Sequence, residues 1–339
     1  MFPLLIAATL SSAVVSIDLT VDQGAAMKEA EKALRMKPVS VIDKKVTPDS
    51  GDKHDYMSMG PYWWPDPKKP DGLPFIRKDG QKNPQTRNGD ATDSPRFSRL
   101  AGASAELARA WHITKDERFA KHASHLLRTW FIDPKTRMNP NLNFGQAVPG
   151  RTKGRGIGII DSRVLIEIAD AAELISTSSH WTKTDQPSFQ KWCRDYLDWL
   201  LTSPHGKEEA AMTNNHGTWY DAQVVRLALF VGDNDLAKKT LEAAKDRRFS
   251  HIKPDGSQPN ELKRTRSYDY SVFNLQALCL LAKMGEQVGV DLWNYPDGKN
   301  PAIKRAFDYI EQHLQTWAHP QIKKLDPGKL KSIRRLIPD

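Results

Sequence analysis

Cysteine is nearly missing from this chain of 339 residues: Cys193 and Cys279 are the whole supply. A disulfide-stapled scaffold is thereby excluded. Both cysteines sit in amphipathic helical patterns, where one bridge in an oxidising compartment and two buried thiols fit equally well. Nothing after the first sixteen residues approaches the roughly 20 apolar residues of a membrane span, so no membrane association is expected. Metal-ligand clusters are missing too: His54, His112, His122 and His125 include no His-x-x-x-His with a partner acid, and no metal or other cofactor is expected. Strands of alternating hydrophobicity are almost absent, which argues against sheet architectures. No Asn-x-Ser/Thr acceptor occurs, so glycosylation says nothing about compartment.

Acid is in shorter supply than base, 41 Asp and Glu against 50 Lys and Arg, for a net charge of +9. Such a surface favours polyanions: nucleic acids, anionic membranes and acidic polysaccharides alike. The basic residues are scattered. The dense runs are Lys245-Asp246-Arg247-Arg248 and the tail Lys323 to Arg335, and no nucleic-acid-binding signature lies near either. Nucleic acid is therefore not expected as the partner.

Met1 to Ser16 carry no charged side chain and contain an apolar stretch from Phe2 to Leu10 followed by small residues. This reads as a secretory signal, although without the usual basic residue. The expectation is a secreted monomer with a single mature domain over 17–339, extracellular, or periplasmic if the source is a Gram-negative bacterium. The length would equally permit two domains.

From about Arg96 the chain alternates helical periods with short polar breaks. Helices are expected over 97–113, 117–131, 159–175, 187–201, 217–231, 235–247, 270–288 and 302–317. Thr114 to Glu117 has the form of a capping box, and Thr184 or Asp185 before Pro187 the form of a helix start. Antiparallel helix pairs joined by short loops point to an all-α toroid or barrel. Residues 45–93 are the exception, rich in Pro, Gly, Asp and Lys yet holding Tyr62, Trp63 and Trp64. Disordered segments avoid such aromatics, so this stretch is expected to form an ordered arm or lid over one mouth of the helical body.

Two polar islands lie among the helices, Asn214 to Asp221 and Arg264 to Tyr270. Together they offer an amide, an imidazole, a guanidinium and a phenol. That set suits an anionic sugar, because an amide and a guanidinium can hold a carboxylate while an imidazole and a phenol move protons beside it.

The motifs Ser58-Met-Gly-Pro-Tyr-Trp-Trp-Pro-Asp-Pro, Leu127-Arg-Thr-Trp-Phe with Met138-Asn-Pro-Asn-Leu-Asn, Gly158-Ile-Ile-Asp, Asn214-Asn-His-Gly-Thr-Trp-Tyr-Asp and Arg264-Thr-Arg-Ser-Tyr-Asp-Tyr stand in an order that resembles the alginate lyase superfamily. The resemblance runs from about residue 43 to 326 and implies an incomplete α/α barrel, a metal-free polysaccharide lyase, and a substrate of alginate or a related β-1,4-linked polyuronate. It also implies more helical sequence beyond residue 339 than this chain has.

A β-eliminating lyase must remove the proton next to the uronate carboxylate and expel the 4-linked oxygen. Groups that neutralise the carboxylate stabilise the enolate-like intermediate. Asn215 and Arg264 are the candidates for this, His216 for base or neutraliser, and Tyr270 for the proton donor and possibly the base, its pKa lowered if Arg264 or Arg266 lies beside it. Tyr62, Trp63 and Trp64 are candidates for stacking on sugar rings or anchoring the arm. Asn143, Gln146, Arg163, Trp219, Tyr220 and Arg266 are candidate substrate-binding residues, with a surface ion pair to Glu167 as the bland alternative for Arg163. Glucuronan lyase activity is the nearest alternative. A glycoside hydrolase would need two carboxylates about 5 to 9.5 Å apart, and Asp161, Asp221 and Asp269 show no spacing that selects a pair. A non-catalytic protein binding acidic polysaccharide would need neither His216 nor Tyr270.

Overall fold

The computed structural model describes residues 14–338. Among these, helices dominate and form a curved double layer, accompanied by α1 (Gln23–Ala33), α6 (Pro204–Ala210) and α9 (Pro259–Leu262). The inner layer comprises α2 (Ser94–Thr114), α4 (Leu165–Ile175), α7 (Asn215–Phe230) and α10 (Ser267–Gln287). Each packs on the next, and α3 (Glu117–Leu127), α5 (Asp185–Thr202), α8 (Asn234–Arg247) and α11 (Ala302–His313) back them from outside. No comparable packing joins α10 to α2 among the described residues. The architecture is an incomplete α/α barrel, as the resemblance implies.

Sequence pattern explains which helices lie inside. In α4 nine of eleven residues are buried, because it carries almost no polar face. In α3 burial repeats at Phe119, Ala120, Ala123, Leu126 and Leu127, the stripe of a helix with one side in solvent. An aromatic cluster fills one end of the core, with Phe97 stacked on Trp130 at 5.3 Å and Phe131 edge-on to Trp192 at 4.7 Å.

Several local expectations are corrected. The helix expected over 117–131 widens into a π-turn at Arg128–Ile132, where Arg128 forks onto Asp185 at 2.9 and 2.6 Å. Residues Gly156–Val164 form a 3₁₀ segment before α4 begins. The Thr114 capping box does not form. Lys115 adopts φ +58° and ends α2, so only Lys115 and Asp116 lie between the helices, and Asp116 caps α3 through Arg118 N–H at 3.0 Å. The helix start expected at Thr184 or Asp185 is present, α5 beginning at Asp185, although Thr184 makes no side-chain cap bond.

The arm is ordered, as its aromatics require. Its base is clamped by a fully buried ion pair between Lys44 and Asp93, 3.0 Å apart. Its β1 (Met57–Met59) runs parallel to β4 (Phe144–Ala147) of a later segment, and within it β2 (Trp63–Trp64) pairs antiparallel with β3 (Ile76–Arg77).

Cys193 and Cys279 are buried free thiols. Most of the expected signal, residues 1–13, lies outside the described residues. Val14 and Val15 are buried in the core, and Ser16 donates both N–H and Oγ to Asp170 at 2.6 Å, so the expected cut after Ser16 would remove ordered contacts. No described helix is long and apolar enough to cross a membrane.

Candidate active site

The arm and the inner helices enclose a cleft of about 980 Å³. Tyr270, Phe273, Gln276 and Leu280 line it at spacings of three and four, so it follows α10 for about 15 Å.

The first polar island forms the start of α7. Asn214 caps the helix, its side chain accepting from His216 N–H at 3.1 Å. Gly217 is required there, since a Cβ would fall 2.0 Å from the Met212 carbonyl oxygen. Two buried carboxylates grip this turn. Glu261 accepts Asn215 N–H at 2.6 Å and Asn215 Nδ2 at 2.7 Å. Glu209 lies 2.8 Å from His216 Nδ1. With Nδ1–H given to that carboxylate, Nε2 is the nitrogen left for a ligand. Burial pushes both carboxyls above the usual range, and the bonds from Asn215 and His216 pull the other way.

The second island is the turn leading into α10. It is a loop rather than a helix from Arg264 to Arg266, and it folds the Arg264 guanidinium back over the Tyr270 ring, 4.0 Å from its centroid. Arg264 Nη2 also donates to the Tyr270 hydroxyl at 2.9 Å. Asp79 of the arm holds Arg264 at 3.0 Å and accepts from Thr265 Oγ1 at 2.9 Å. Burial raises Asp79, but the bonds from Arg264, Thr265 and Arg77 outweigh it and bring the carboxyl to about 2. Tyr62, also from the arm, shares a 2.6 Å bond with the Tyr270 hydroxyl. Burial and this second phenol raise Tyr270 above its ordinary value, and Arg264 only partly offsets them. That corrects the expectation of a lowered phenol: the cation is in place, but desolvation wins.

Gln146 stands at a bulge of β4, with φ +47°, a left-handed conformation uncommon for a residue with a side chain. Its amide donates to Asp161 at 3.2 Å and accepts from Arg155 at 3.1 Å. Trp63 lies against the guanidinium groups of Arg151 and Arg155, 5.2 and 5.8 Å away. Among the described residues Arg163 makes no ion pair, with Glu167 or any other acid; it lies over the Phe273 ring at 5.4 Å and donates to the Ile160 carbonyl at 3.0 Å. Trp219 packs on the same Phe273, ring centroids 4.9 Å apart. Arg266 lines the cleft while paired with Asp269 at 3.0 Å.

The cleft therefore brings together Tyr62, Trp63, Gln146, Arg163 and Trp219 with Asn215, His216, Arg264, Arg266 and Tyr270. Three candidates lie elsewhere. Trp64 alternates to the other side of β2 and donates to the Gln81 carbonyl at 2.9 Å. Asn143 is exposed and accepts from Trp199 Nε1 at 3.0 Å. Tyr220 is one residue further round α7 than Trp219 and is buried, its hydroxyl on the Leu200 carbonyl at 2.9 Å. Sequence reasoning missed Asp79 and Arg155, which reach the site from loops, and Glu209 and Glu261, which reach it from the short helices Pro204–Ala210 and Pro259–Leu262, none with a recognisable spacing to the islands.

The carboxylates a hydrolase would need are engaged. Asp221 is buried against Arg248 at 2.7 Å, Asp269 holds Arg266 and Gln321, and Asp161 accepts from Tyr56, Ser58 and Gln146.

The model of the family described as alginate lyase matches residues 40–317. The chain belongs to the alginate lyase family. It is a polysaccharide lyase. A crystal structure of an alginate lyase from Bacteroides ovatus is 40% identical to this lyase, with a TM-score of 0.87 over 93% of this chain and 83% of that one. Alginate lyase A1-III from Sphingomonas species A1 shares the fold at 15% identity, TM-score 0.58, over 95% of this chain and 80% of that one. A variant of that enzyme complexed with a tetrasaccharide superposes with a TM-score of 0.56 at 15% identity, over 95% and 80% of the two chains. No curated protein matches this lyase.

Proposed function

We propose that the protein cleaves a β-1,4-linked polyuronate, alginate first and glucuronan next, by β-elimination. The observation that carries this reading is the Arg264–Tyr270 contact: one guanidinium stacked on and bonded to a phenol, in the same cleft as an amide and an imidazole that are each fixed by a buried carboxylate.

The uronate carboxylate sits between the Asn215 amide and the Arg264 guanidinium. Each donor that strengthens its bond as the enolate-like intermediate forms lowers the barrier by about 2.7 to 4 kcal/mol. His216 Nε2 takes the C5 proton. The electron pair forms the C4–C5 double bond, the C4–O4 bond breaks, and the Tyr270 hydroxyl gives its proton to the departing oxygen. Tyr270 suits the acid role because its surroundings keep the phenol protonated. These roles suit guluronate, whose C5 proton and 4-oxygen lie on opposite faces; on mannuronate and glucuronate the two share a face, and there Tyr270 takes both proton steps while His216 joins Asn215 and Arg264 on the carboxylate. The alginate lyase A1-III variants complexed with a tetrasaccharide support a saccharide occupant for such a cleft.

A polymer found outside cells calls for export, and the uncharged stretch from Met1 to Ser16 is what supports secretion. One continuous core running from Ile17 to Ile333 supports a single mature domain over 17–339.

The test is to incubate the protein with polymannuronate, polyguluronate and glucuronan and to follow ultraviolet absorbance of the unsaturated product. Tyr270→Phe is expected to lower kcat by about 10² to 10⁴. New reducing ends without absorbance would support a hydrolase instead, and binding without turnover a non-catalytic protein.

A further inference from the structure

The basic run Lys323 to Arg335 has no part in this chemistry, yet the fold sets its start against the catalytic turn. Arg266 and Gln321 form an antiparallel bridge. Ile322 N–H donates to the Thr265 carbonyl at 2.9 Å, and Ser267 N–H to the Pro320 carbonyl at 3.0 Å. The arm joins at the same place: a Cβ on Gly80 would fall 2.6 Å from Thr265 Oγ1 and 2.7 Å from Ile322 Cδ1. Three segments remote in sequence thus share one seam.

Each segment brings a cation to it: Lys82 from the arm, Arg266 from the turn, Lys323 from the tail. Partial desolvation, together with the neighbouring Arg87, Arg266 and Lys323 charges, pushes the Lys82 ammonium below its ordinary value. Arg266 is paired with Asp269, which it shares with Lys329. Lys82, Lys323 and Lys324 have no carboxylate partner among the described residues, and Lys323 and Lys324 are exposed. Like charges gathered without acids repel one another, and an anion placed among them relieves that repulsion. Lys82 and Lys329 also line the cleft; Lys329 and Arg266 share the single carboxylate of Asp269, so that trio keeps one net positive charge and the positive track is continuous with the site.

We propose that Lys82, Lys323 and Lys324 form an exosite that holds the polyuronate chain as it leaves the catalytic cleft. This rests on the lyase reading and adds that the preferred substrate is a long chain rather than a short oligomer. The exosite acts on binding alone, by pairing its ammonium groups with carboxylates several sugars from the scissile bond.

The test compares the wild type with a Lys323→Ala/Lys324→Ala double variant on a polyuronate and on its tetrasaccharide. Both substituted side chains are exposed, so folding is not at stake. KM on the polymer is expected to rise roughly threefold to tenfold at low salt, with kcat and the tetrasaccharide KM unchanged. An unchanged polymer KM, or an equal loss on both substrates, would overturn the exosite. A wild type silent on every polyuronate would refute the lyase reading instead. In that event electrophoresis through gels carrying the polyuronate decides the exosite: retardation lost in the double variant supports it, equal mobility of the two proteins overturns it.

Discussion

Replacing Glu209 by Gln tests whether His216 acts through its buried partner. The substitution keeps shape and removes charge at a side chain with no solvent exposure. Its Oε1 accepts the imidazole Nδ1–H across 2.8 Å, while Oε2 has no partner among the described residues. A glutamine can present its carbonyl oxygen to the same Nδ1–H, so ring orientation survives, but the charge that balances a protonated ring does not. A hydrogen bond to a charged group contributes about 1.5 to 3 kcal/mol, which converts to a loss in kcat of roughly 10- to 150-fold. KM should change little, because the sugar carboxylate is held by Asn215 and Arg264. The pH profile supplies a second readout. Burial raises the Glu209 carboxyl, so its ionised form is lost as pH falls through a range above that of an ordinary glutamate, and the variant should lack this acid limb. Steady-state absorbance kinetics from pH 4 to 9 measure both effects. A variant with kcat within twofold of wild type and the same acid limb would refute the idea that Glu209 acts on His216.

Three further outcomes are expected. In Tyr62→Phe the second phenol that raises Tyr270 is gone, so the alkaline limb of kcat should move to lower pH; an unmoved limb would separate the two hydroxyls functionally. Asp79 is depressed from 3.8 to about 2 in the folded protein, so it contributes stability above pH 3.8 that is lost as pH falls towards 2. The upper bound is about 2 kcal/mol, reduced by solvent at a side chain 23% exposed, and Asp79→Asn should flatten that part of an acid-unfolding curve. Trp130 is fully buried and stacked on Phe97, so Trp130→Ala should cost about 3 to 5 kcal/mol in urea unfolding, with kcat kept in whatever fraction remains folded.

The fold was legible because its signals are local. Helix positions followed from apolar spacing, and the errors fall where a backbone state intervened, as at Lys115 and at the π-turn after Leu127. The islands were legible because Asn214, His216, Arg264 and Tyr270 are close in sequence to partners they keep in space. The residues that fix them were not. Asp79 lies 185 residues from Arg264 and Glu261 lies 46 from Asn215, and an isolated acid in a loop or in a helix of 4 residues carries no period that assigns it to a distant partner. The phenol of Tyr270 was misjudged for a related reason: a neighbouring arginine can be read from sequence, whereas desolvation depends on an arm folding over the ring.

The seam joining the arm, the catalytic turn and the tail bears on the order in which the protein becomes active. During synthesis the helices up to α7 can pack as they emerge, but Arg264 must wait for α10, and the backbone partners of Thr265 and Ser267 are Pro320 and Ile322. A nascent chain halted before Pro320 would hold most of its core and every proposed catalytic side chain, yet leave the turn that carries Arg264 without its last supports. Activity is therefore expected to appear late in chain growth, after most of the stability is already in place.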